Sequence, residues 1–394
     1  MSPLVLVALV APGLALLALM ALMQARQLRS TVAPPSGPLP PVSILKPMKG
    51  ADPNLEENLE SFFLLDYPEY EVLFGVDDPD DAALAIARTV AARHPEVPSQ
   101  FVVDCRSVSF NPKVNNLANI ARHARHDVFW ISDSNTRVAP GTLRELAARL
   151  EVPRVGLVSS PFRGTSVSGL GGACESLQLN TFVMGGVAAM HRLLGGVCVV
   201  GKSMILRRPT LDAIGGFRFL GRFLAEDQVS GEEVARLGLK VDVAALPVDN
   251  VLGRLPLRSF LARHLRWARI RRRMNLAGYV GELLLNPVFL AVCGALALRD
   301  LPSLAVAAAV VLVKSGADAA AERSAGVRRP LPVYPVLTLA KDVLVGAVWV
   351  VPFASSSVTW RGNRFHIGPR TLLSREAPAQ DAVALGPASA EAGG

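Results

Sequence analysis

The stretch YEVLFGVDDPDD, Tyr70 to Asp81, decides the fold, because an apolar strand pattern runs directly into a cluster of acidic residues. A helical pattern, Ala82 to Arg93, follows it at once. The same succession of strand, polar turn and helix recurs on both sides, from PVSILK at Pro41 to VGLVSSPF at Phe162. This alternation predicts an α/β domain with a mostly parallel sheet and right-handed crossovers.

Acidic residues follow two of the predicted strands. Asp78 and Asp81 end the stretch quoted above, and Asp133 follows the apolar run VFWIS. Because ligands of parallel sheets bind at the carboxyl ends of the strands, we expect these carboxylates on one edge. One of them can bind the nucleotide end of a donor, and Asp133 can hold a divalent metal, Mg²⁺ or Mn²⁺, against a diphosphate.

A second polar cluster lies further along, between Phe223 and Trp267. It begins FLAEDQ, in which Asp227 can accept a proton from a hydroxyl group. An ordinary helix with acids in its first turn explains the same letters equally well. The cluster ends RHLRW, in which Arg263 and Arg266 share a helix face beside Trp267, an arrangement that suits an anionic ligand such as a diphosphate.

The loop FNPKVNN adds two further candidates. Lys113 and Asn115 precede a helical pattern and face the same predicted edge, so we assign them to the donor site. Lys46 and Lys49, after the first strand, are either phosphate contacts or ordinary residues at a strand end.

The composition predicts a membrane protein that carries a folded polar domain. The chain has 394 residues, of which 51% are hydrophobic and 19% charged, and its formal net charge is +8. Residues Pro3 to Met23 are apolar and uncharged, long enough for one membrane span, with Arg26 and Arg29 directly after them. The positive-inside rule therefore places the following domain in the cytosol.

The second half is also membrane-associated. Leu257 to Tyr279 predicts a basic amphipathic helix lying in the membrane plane, which fits the apolar neighbours better than a nucleic-acid surface does. Gly169 to Leu206 predicts a helix, a loop and a strand that line an apolar groove near the membrane. Lys341 and Asp342 interrupt the last apolar segment, and either pair with each other or lie in the interface.

These patterns divide the chain into six parts. They are a membrane anchor (1–25), a Pro-rich linker (26–40), a catalytic domain (41–255), a basic interfacial helix (256–280), membrane helices (281–354), and a basic motif with a disordered tail (355–394). The charge of the motif TWRGNRFHIGPR favours the cytosol, whereas a count of three C-terminal spans places it outside. The sequence leaves this conflict open.

The chain resembles the ceramide glucosyltransferases, glycosyltransferase family 21, from about Pro41 to Arg364. The resemblance is carried, in order, by KPMKGADPNLEENLESFF, YEVLFGVDDPDD, NPKVNNL, DSN at Asp133, AEDQ at Ala225, RHLRW and WRGNR. It implies a GT-A-like fold and inverting transfer of a sugar, with glucose preferred, from a UDP-sugar to a membrane lipid hydroxyl. Ceramide is the preferred acceptor, and the product is β-linked.

The family's site residues fall on matching positions. The first aspartate falls on Asp81, with Asp78 nearby, the second on Asp133, and the third, the base, on Asp227. The family's (Q/R)xxRW motif falls on Arg263 to Trp267. Gln228 and Lys202 depart from the animal enzymes near the expected acceptor region.

Other functions remain open. A close branch, the hopanoid-associated N-acetylglucosaminyl transferases of bacteria, shares the motifs, and the composition favours a bacterial inner membrane over the Golgi. A polysaccharide transferase needs more spans than this chain offers. A catalytically inactive scaffold conflicts with intact Asp133, Asp227 and RHLRW.

Overall fold

A computed structural model describes residues 3–33, 37–355, 357–360 and 363–375. The disordered tail predicted after Arg375 lies outside the described residues. So do Arg361 and Gly362 of the WRGNR motif and residues 34–36 of the predicted linker.

The first half of the chain alternates strands and helices as the sequence predicts. Its elements are α1 (Pro3–Gln27), β1 (Val42–Pro47), α2 (Leu55–Glu60), β2 (Tyr70–Val76), α3 (Ala82–Ala92), β3 (Ser99–Val103), α4 (Pro112–Ala121), β4 (Val128–Ser132), β5 (Thr136–Arg137), α5 (Thr142–Leu150), β6 (Val155–Ser159) and β7 (Phe162–Ser168).

The second half adds strands to the same domain and then becomes helical. Its elements are α6 (Gly169–Gln178), a π-helical turn (Leu179–Val183), α7 (Met184–Leu194), β8 (Ser203–Arg207), α8 (Arg208–Ala213), α9 (Gly216–Leu220), α10 (Glu226–Arg236), β9 (Lys240–Val243), β10 (Val248–Arg254), α11 (Leu257–Met274), α12 (Leu276–Gly281), a 3-10 turn (Glu282–Leu285), α13 (Pro287–Leu298), α14 (Leu301–Ser324), α15 (Val333–Val350) and the strands β11 (Ser357–Trp360), β12 (Asn363–Ile367) and β13 (Leu373–Arg375).

A seven-stranded sheet forms the centre of the domain, in the order β3-β2-β1-β4-β8-β6-β9. β1 to β4 pair in parallel, and only β8 runs antiparallel to its two neighbours, β4 and β6. The predicted α/β fold with a mostly parallel sheet is therefore confirmed. Two apolar clusters cover the two faces of this sheet, one around Trp130 and the other around Phe129. The sheet order reverses direction between β1 and β4, which is where such folds bind ligands.

Close packing holds α4 against this sheet. A Cβ atom on Gly75 of β2 would lie 2.1 Å from the Asn116 side chain and 2.4 Å from Ile120, so the strand needs glycine there. The Asn116 amide in turn donates to the Gly75 carbonyl at 2.9 Å and to the Met48 carbonyl at 3.3 Å. The N-terminus of α4, which carries Lys113, is thereby fixed relative to the carboxyl ends of β1 and β2.

Among the residues that the structure describes, three helices are long and apolar enough to cross a membrane: α1, α14 and the segment Val333–Phe353. A fourth candidate is the pair Leu276–Leu285 and Pro287–Leu298, which is bent by 68°. The predicted anchor and C-terminal membrane segments are thus present as helices. Lys341 and Asp342 pair with each other, as one of the two sequence readings expects.

Two local predictions are wrong. The basic helix stops at Met274 rather than continuing to Tyr279, because the Asn275 side chain accepts from the Gly278 amide and starts a new helix. Lys113 and Asn115, expected in a loop before a helix, lie within α4, because the Asn111 side chain accepts from the Val114 amide at 3.2 Å and caps that helix. The Asp52 carboxylate accepts a hydrogen bond from the Ser134 hydroxyl at 2.5 Å, across the sheet edge.

The C-terminal strands return to the catalytic domain. The Leu224 amide donates to the Thr371 carbonyl at 3.0 Å, and the Leu373 amide donates to the Arg222 carbonyl at 2.8 Å. Phe365, Ile367 and Leu373 form an apolar cluster with Leu224. Residues 365–373 therefore lie on the same side of the membrane helices as the sheet.

Candidate functional site

The site forms where β1, β4 and β8 meet, at the reversal of the strand order. Lys46 closes β1 and is fully buried, with its ammonium group 3.7 Å from the centre of the Phe62 ring. It donates to the Asp133 carbonyl at 2.6 Å, and burial lowers its pKa well below the usual value. Lys46 therefore holds the turn after β4 in place. Lys49, by contrast, is exposed and pairs with Asp77 at 3.0 Å.

Asp133 lies at the centre of the site between two lysines. Its Oδ1 is 2.9 Å from Lys113 Nζ, and its Oδ2 is 3.0 Å from Lys202 Nζ. Burial opposes ionisation of this carboxyl, but the two ammonium groups outweigh it and hold the pKa of Asp133 well below its usual range. Asp133 is therefore ionised at neutral pH and fully neutralised by its neighbours.

Lys113 joins Asp133 to a second acid, Glu226. The Lys113 ammonium lies 3.1 Å from Glu226 Oε1 and donates to the Gly201 carbonyl at 3.2 Å. Burial would lower the pKa of Lys113, but Asp133, Glu226 and the nearby Asp227 raise it overall. The Asn111 amide donates to Glu226 Oε2 at 3.2 Å, so both Glu226 oxygens have partners.

Asp227 lies in the first turn of α10, beside this charge network. Its Oδ2 accepts from the Gly201 amide at 2.6 Å, and its Oδ1 accepts from the Gln228 amide at 2.8 Å. Burial and the adjacent Glu226 raise the pKa of Asp227 to about 6, against the opposing effect of Lys113. A carboxylate with that pKa is a better proton acceptor than an ordinary aspartate.

The remaining acids of the first cluster have local partners. Asp81 caps α3 by accepting from the Ala83 amide at 2.8 Å, and both of its oxygens accept from the Gly50 amide at 2.9 Å. Asp78 is exposed and accepts from the Asp80 amide at 2.9 Å. Through Gly50, Asp81 fixes the loop after β1 on the edge that carries Asp133.

Asn115 organises the loop that precedes α4. Its side-chain oxygen accepts from the Val108 and Ser109 amides, both at 2.9 Å, and its amide donates to the Ser107 hydroxyl and the Ser109 carbonyl, both at 3.0 Å. Asn115 therefore shapes the loop between β3 and α4, beside Lys113.

The RHLRW motif lies on α11 and is attached to α6 through a buried acid. Arg263 Nη1 is 3.0 Å from one oxygen of Glu175, and His264 Nε2 is 2.9 Å from the other. Glu175 is fully buried, and the two basic residues keep its pKa below the usual value despite that burial. Trp267 packs against the apolar cluster around Trp130, and Arg266 is half-buried on the same helix.

Among the side chains at this edge of the sheet, Asp133 is the carboxylate suited to bind a metal ion. The described part of the chain contains no group of three His, Cys, Asp or Glu side chains that could hold a metal ion. Mg²⁺ commonly binds through one or two carboxylates together with substrate phosphates. Asp133 therefore fits a cation that binds together with a diphosphate, which would take the place of one lysine contact.

Four residues of this site were not assigned a role from the sequence: Lys202, Glu226, Gly201 and Glu175. Lys202 was noted only as a departure from a family pattern, and Glu226 only as part of FLAEDQ. Lys202 pairs with Asp133, and Glu226 pairs with Lys113. The need to balance the buried charges of Asp133 and Lys113 could therefore have identified both residues. Glu175 has no comparable signal, because its partners are 88 and 89 residues away.

Comparison with known proteins bears on both the family and the fold. "Ceramide glucosyltransferase 3" of Caenorhabditis elegans is 31% identical over 237 residues, which cover 60% of this chain and 51% of that protein. "Ceramide glucosyltransferase" of Pyricularia oryzae is 22% identical over 424 residues, which cover 84% of this chain and 85% of that protein. The chain spans about half the length of the C. elegans relatives that it matches.

Among solved structures, a mannosyltransferase from Pyrobaculum calidifontis, determined with GDP-Man and Mn²⁺, shares the fold. Its TM-score is 0.51 at 20% identity, covering 89% of this chain and 99% of that one. The model of glycosyl transferase family 21 matches residues 4–373, which include the anchor, the sheet, the membrane helices and most of the C-terminal strands. The chain therefore belongs to glycosyl transferase family 21.

Proposed function

We propose that this protein transfers a sugar, with glucose preferred, from a UDP-sugar to a hydroxyl group of a membrane lipid, with inversion at the sugar carbon. The observation that carries the proposal is the Lys113 bridge between Asp133 and Glu226, with Asp227 beside it. Lysines and carboxylates in this arrangement can exchange partners when a diphosphate enters. The names of the relatives support ceramide as the acceptor.

Lys113 and Lys202 bind the donor diphosphate in this proposal. Each ammonium group exchanges an Asp133 oxygen for a phosphate oxygen, so the charges remain paired as the donor enters. Asp81 and Asp78 lie beside the position of the nucleoside, and Asn115 holds the neighbouring loop in shape. Asp133 would hold a divalent metal, Mg²⁺ or Mn²⁺. When bound, that metal would neutralise charge on the leaving diphosphate.

Asp227 is the proposed base. The acceptor oxygen attacks the anomeric carbon from the face opposite the diphosphate, and its proton passes to an Asp227 oxygen. The bond between the anomeric carbon and the diphosphate breaks at the same time, and the UDP leaves with both bonding electrons. Inversion needs only this one base, and the raised pKa of Asp227 suits the role.

The two arginines of RHLRW have different roles in this proposal. Glu175 holds Arg263 and thereby fixes the position of α11. We assign contact with the departing diphosphate to Arg266, one turn further along, and the closing of the donor pocket to Trp267, which packs on the domain core. The Arg266 guanidinium would also stabilise the negative charge that develops on the diphosphate as the bond breaks.

The contacts also support a membrane topology. Near the sheet, the Gln24 amide of α1 donates to the carbonyls of Asn180 and Ala321, both at 2.9 Å. At the other end of α1, Leu6 packs with α13 and the start of α14. We infer that α1, the bent pair 276–298 and α14 each cross the membrane, and that the turn between α13 and α14 lies opposite the sheet.

α15 does not complete a crossing in this topology. At its start the Tyr334 hydroxyl donates to Glu322 at 2.9 Å, and at its end the Trp349 indole donates to the Tyr279 carbonyl at 2.9 Å. The strands that follow return to Leu224. The sheet, the basic loop 323–332 and residues 363–375 therefore share one side. Because Arg26 and Arg29 also lie there, we assign that side to the cytosol, at a bacterial inner membrane.

Glycolipid formation tests the function directly. Purified protein should convert UDP-glucose and ceramide to a hexosyl-ceramide with β-linkage, read by mass spectrometry and NMR. Asp227→Asn should lower turnover by about 10²–10⁴-fold, the usual contribution of a general base, while UDP binding changes little. Because the base must be ionised, kcat/KM should be half-maximal near pH 6, close to full from about pH 7, and fall about tenfold per unit well below pH 6.

Near-full turnover by Asp227→Asn would remove Asp227 as the base. If N-acetylhexosamine is transferred to a hopanoid alcohol and no ceramide product forms, the proposed mechanism stands, but the proposed acceptor and sugar are wrong. UDP release without any lipid product from either acceptor would reject lipid glycosylation.

The Glu175 attachment of α11 should matter for both stability and turnover. Glu175→Gln removes the charge that pairs with Arg263 and His264, and breaking such a buried pair costs about 3–5 kcal/mol. We expect a lower melting temperature and a lower kcat, with UDP affinity within a factor of two. Asp66→Asn, which breaks an exposed pair with Arg144, is the matched control and should change neither. A lower melting temperature with unchanged kcat would contradict the positioning role.

Cysteine labelling tests the topology. Leu64→Cys, Leu301→Cys and His366→Cys are placed singly in a chain whose four native cysteines are replaced by serine or alanine. In sealed vesicles of known orientation, an impermeant maleimide should label positions 64 and 366 from one side and position 301 from the other. Labelling of positions 64 and 366 from opposite sides would show that α15 crosses.

A further inference from the structure

A cleft lies between the interfacial helix α11 and the membrane helices. Its enclosed volume is about 40 Å³, which is room for a small polar group rather than for a whole lipid, and its mouth is open. His264 and Arg271 of α11 line one side, and Lys314, Lys341 and Asp342 line the other. The cleft is separate from the Asp133–Lys113 network, but it shares α11 and the RHLRW motif with it.

Buried charges line one side of this cleft. Lys314 pairs with Asp318, and Lys341 pairs with Asp342 and donates to the Gln178 side chain at 3.0 Å. Each of the four charged side chains is at least 93% buried. Charges at such depth among membrane helices are costly, and they commonly mark a ligand site or pathway.

One oxygen on this side lacks a hydrogen bond. Within the described part of the chain, Asp342 Oδ2 has no hydrogen-bond donor, and Lys314 Nζ lies 3.8 Å from it. A buried carboxylate oxygen without a donor is unfavourable, so a ligand donor at this point would be stabilising. Hydroxyl and amide N–H groups are donors of the right kind.

The charges of the cleft cancel. Lys314 and Lys341 are matched by Asp318 and Asp342, and Arg271 lies 2.7 Å from Glu282. Burial lowers the pKa of His264, so this residue adds no charge at neutral pH. A lining with no net charge does not favour an anionic phosphate group over a neutral one.

The other walls of the cleft are apolar. Phe182, Val345, Val348 and Trp349 line it beside the charged residues. A molecule with hydrocarbon chains and a small polar end would bury its chains against these side chains and place its donors near Asp342. The cleft therefore matches an amphipathic molecule of the membrane better than a soluble sugar or nucleotide.

We propose that this cleft binds the polar end of the acceptor, a neutral lipid with hydroxyl or amide donors, and that Asp342 Oδ2 accepts a hydrogen bond from a donor other than the hydroxyl that Asp227 deprotonates. This inference rests on the proposed function, because it places the acceptor of that reaction. It assigns a substrate-binding role to membrane-helix residues outside the catalytic domain.

A photoreactive, alkyne-tagged N-acyl amino alcohol with a free primary hydroxyl tests the site. In the wild-type protein it should label peptides of α11 or α15, and unlabelled diacylglycerol should compete better than phosphatidylglycerol. Val348→Trp fills the cleft and should lower both labelling and glycolipid formation at least tenfold. Ala347→Trp, on the adjacent exposed residue, is the matched control and should lower neither. Asp342→Asn, which keeps the shape, should weaken labelling by this probe more than labelling by its N-methylated amide, which lacks the N–H donor.

UDP binding, measured on every variant, verifies the donor site. Equal labelling or equal transfer by Val348→Trp and Ala347→Trp would overturn the inference, as would equal competition by phosphatidylglycerol. If UDP binds and glycolipid forms while the probe labels elsewhere, the cleft assignment fails and the proposed function stands. If the probe labels the cleft while no lipid is glycosylated, the proposed function fails and the cleft remains a neutral-lipid site.

Discussion

The ion pairs of Lys113 connect the parts of this site. One ammonium group neutralises Asp133, at the end of β4, and Glu226, at the start of α10, and also donates to the Gly201 carbonyl. Without a cation there, three carboxylates at one sheet edge would repel one another and resist burial. The position of α4, the turn after β4 and the first turn of α10 therefore depend on the same charge.

The same arrangement occurs a second time, at the membrane. Glu175 holds Arg263 and His264 against α6, and Lys314, Asp318, Lys341 and Asp342 form ion pairs among the membrane helices. Buried pairs of this kind add little net stability over apolar packing, but losing one partner is costly. The ion pairs of this chain instead fix the position of α11 between the α/β domain and the membrane helices. The proposed transfer of a sugar from a soluble donor to a lipid needs such a fixed boundary.

Most of the fold was predictable because it depends on local patterns. Alternating strands and helices and long apolar runs can be recognised within 10 to 25 residues, and the mostly parallel sheet agrees. That Asp133, Lys113 and Asp227 lie together was predictable from strand ends and motifs, and their roles remain proposals. The roles of Glu175 and Lys202 were not, because their partners are distant in sequence. The side of the C-terminal strands depends on contacts with Leu224, which hydropathy does not encode.

UDP affinity of lysine variants tests the central claim most directly. Isothermal titration of UDP, with and without Mn²⁺, would compare the wild-type protein with Lys113→Met, Lys202→Met and the exposed control Lys49→Met. If the lysines exchange Asp133 for the diphosphate, the first two variants should lose at least about tenfold in affinity, in line with a charge-assisted hydrogen bond of 1.5–3 kcal/mol. The control should bind as the wild type does. Unchanged affinity in Lys113→Met and Lys202→Met would show that the network is structural and that the diphosphate binds elsewhere.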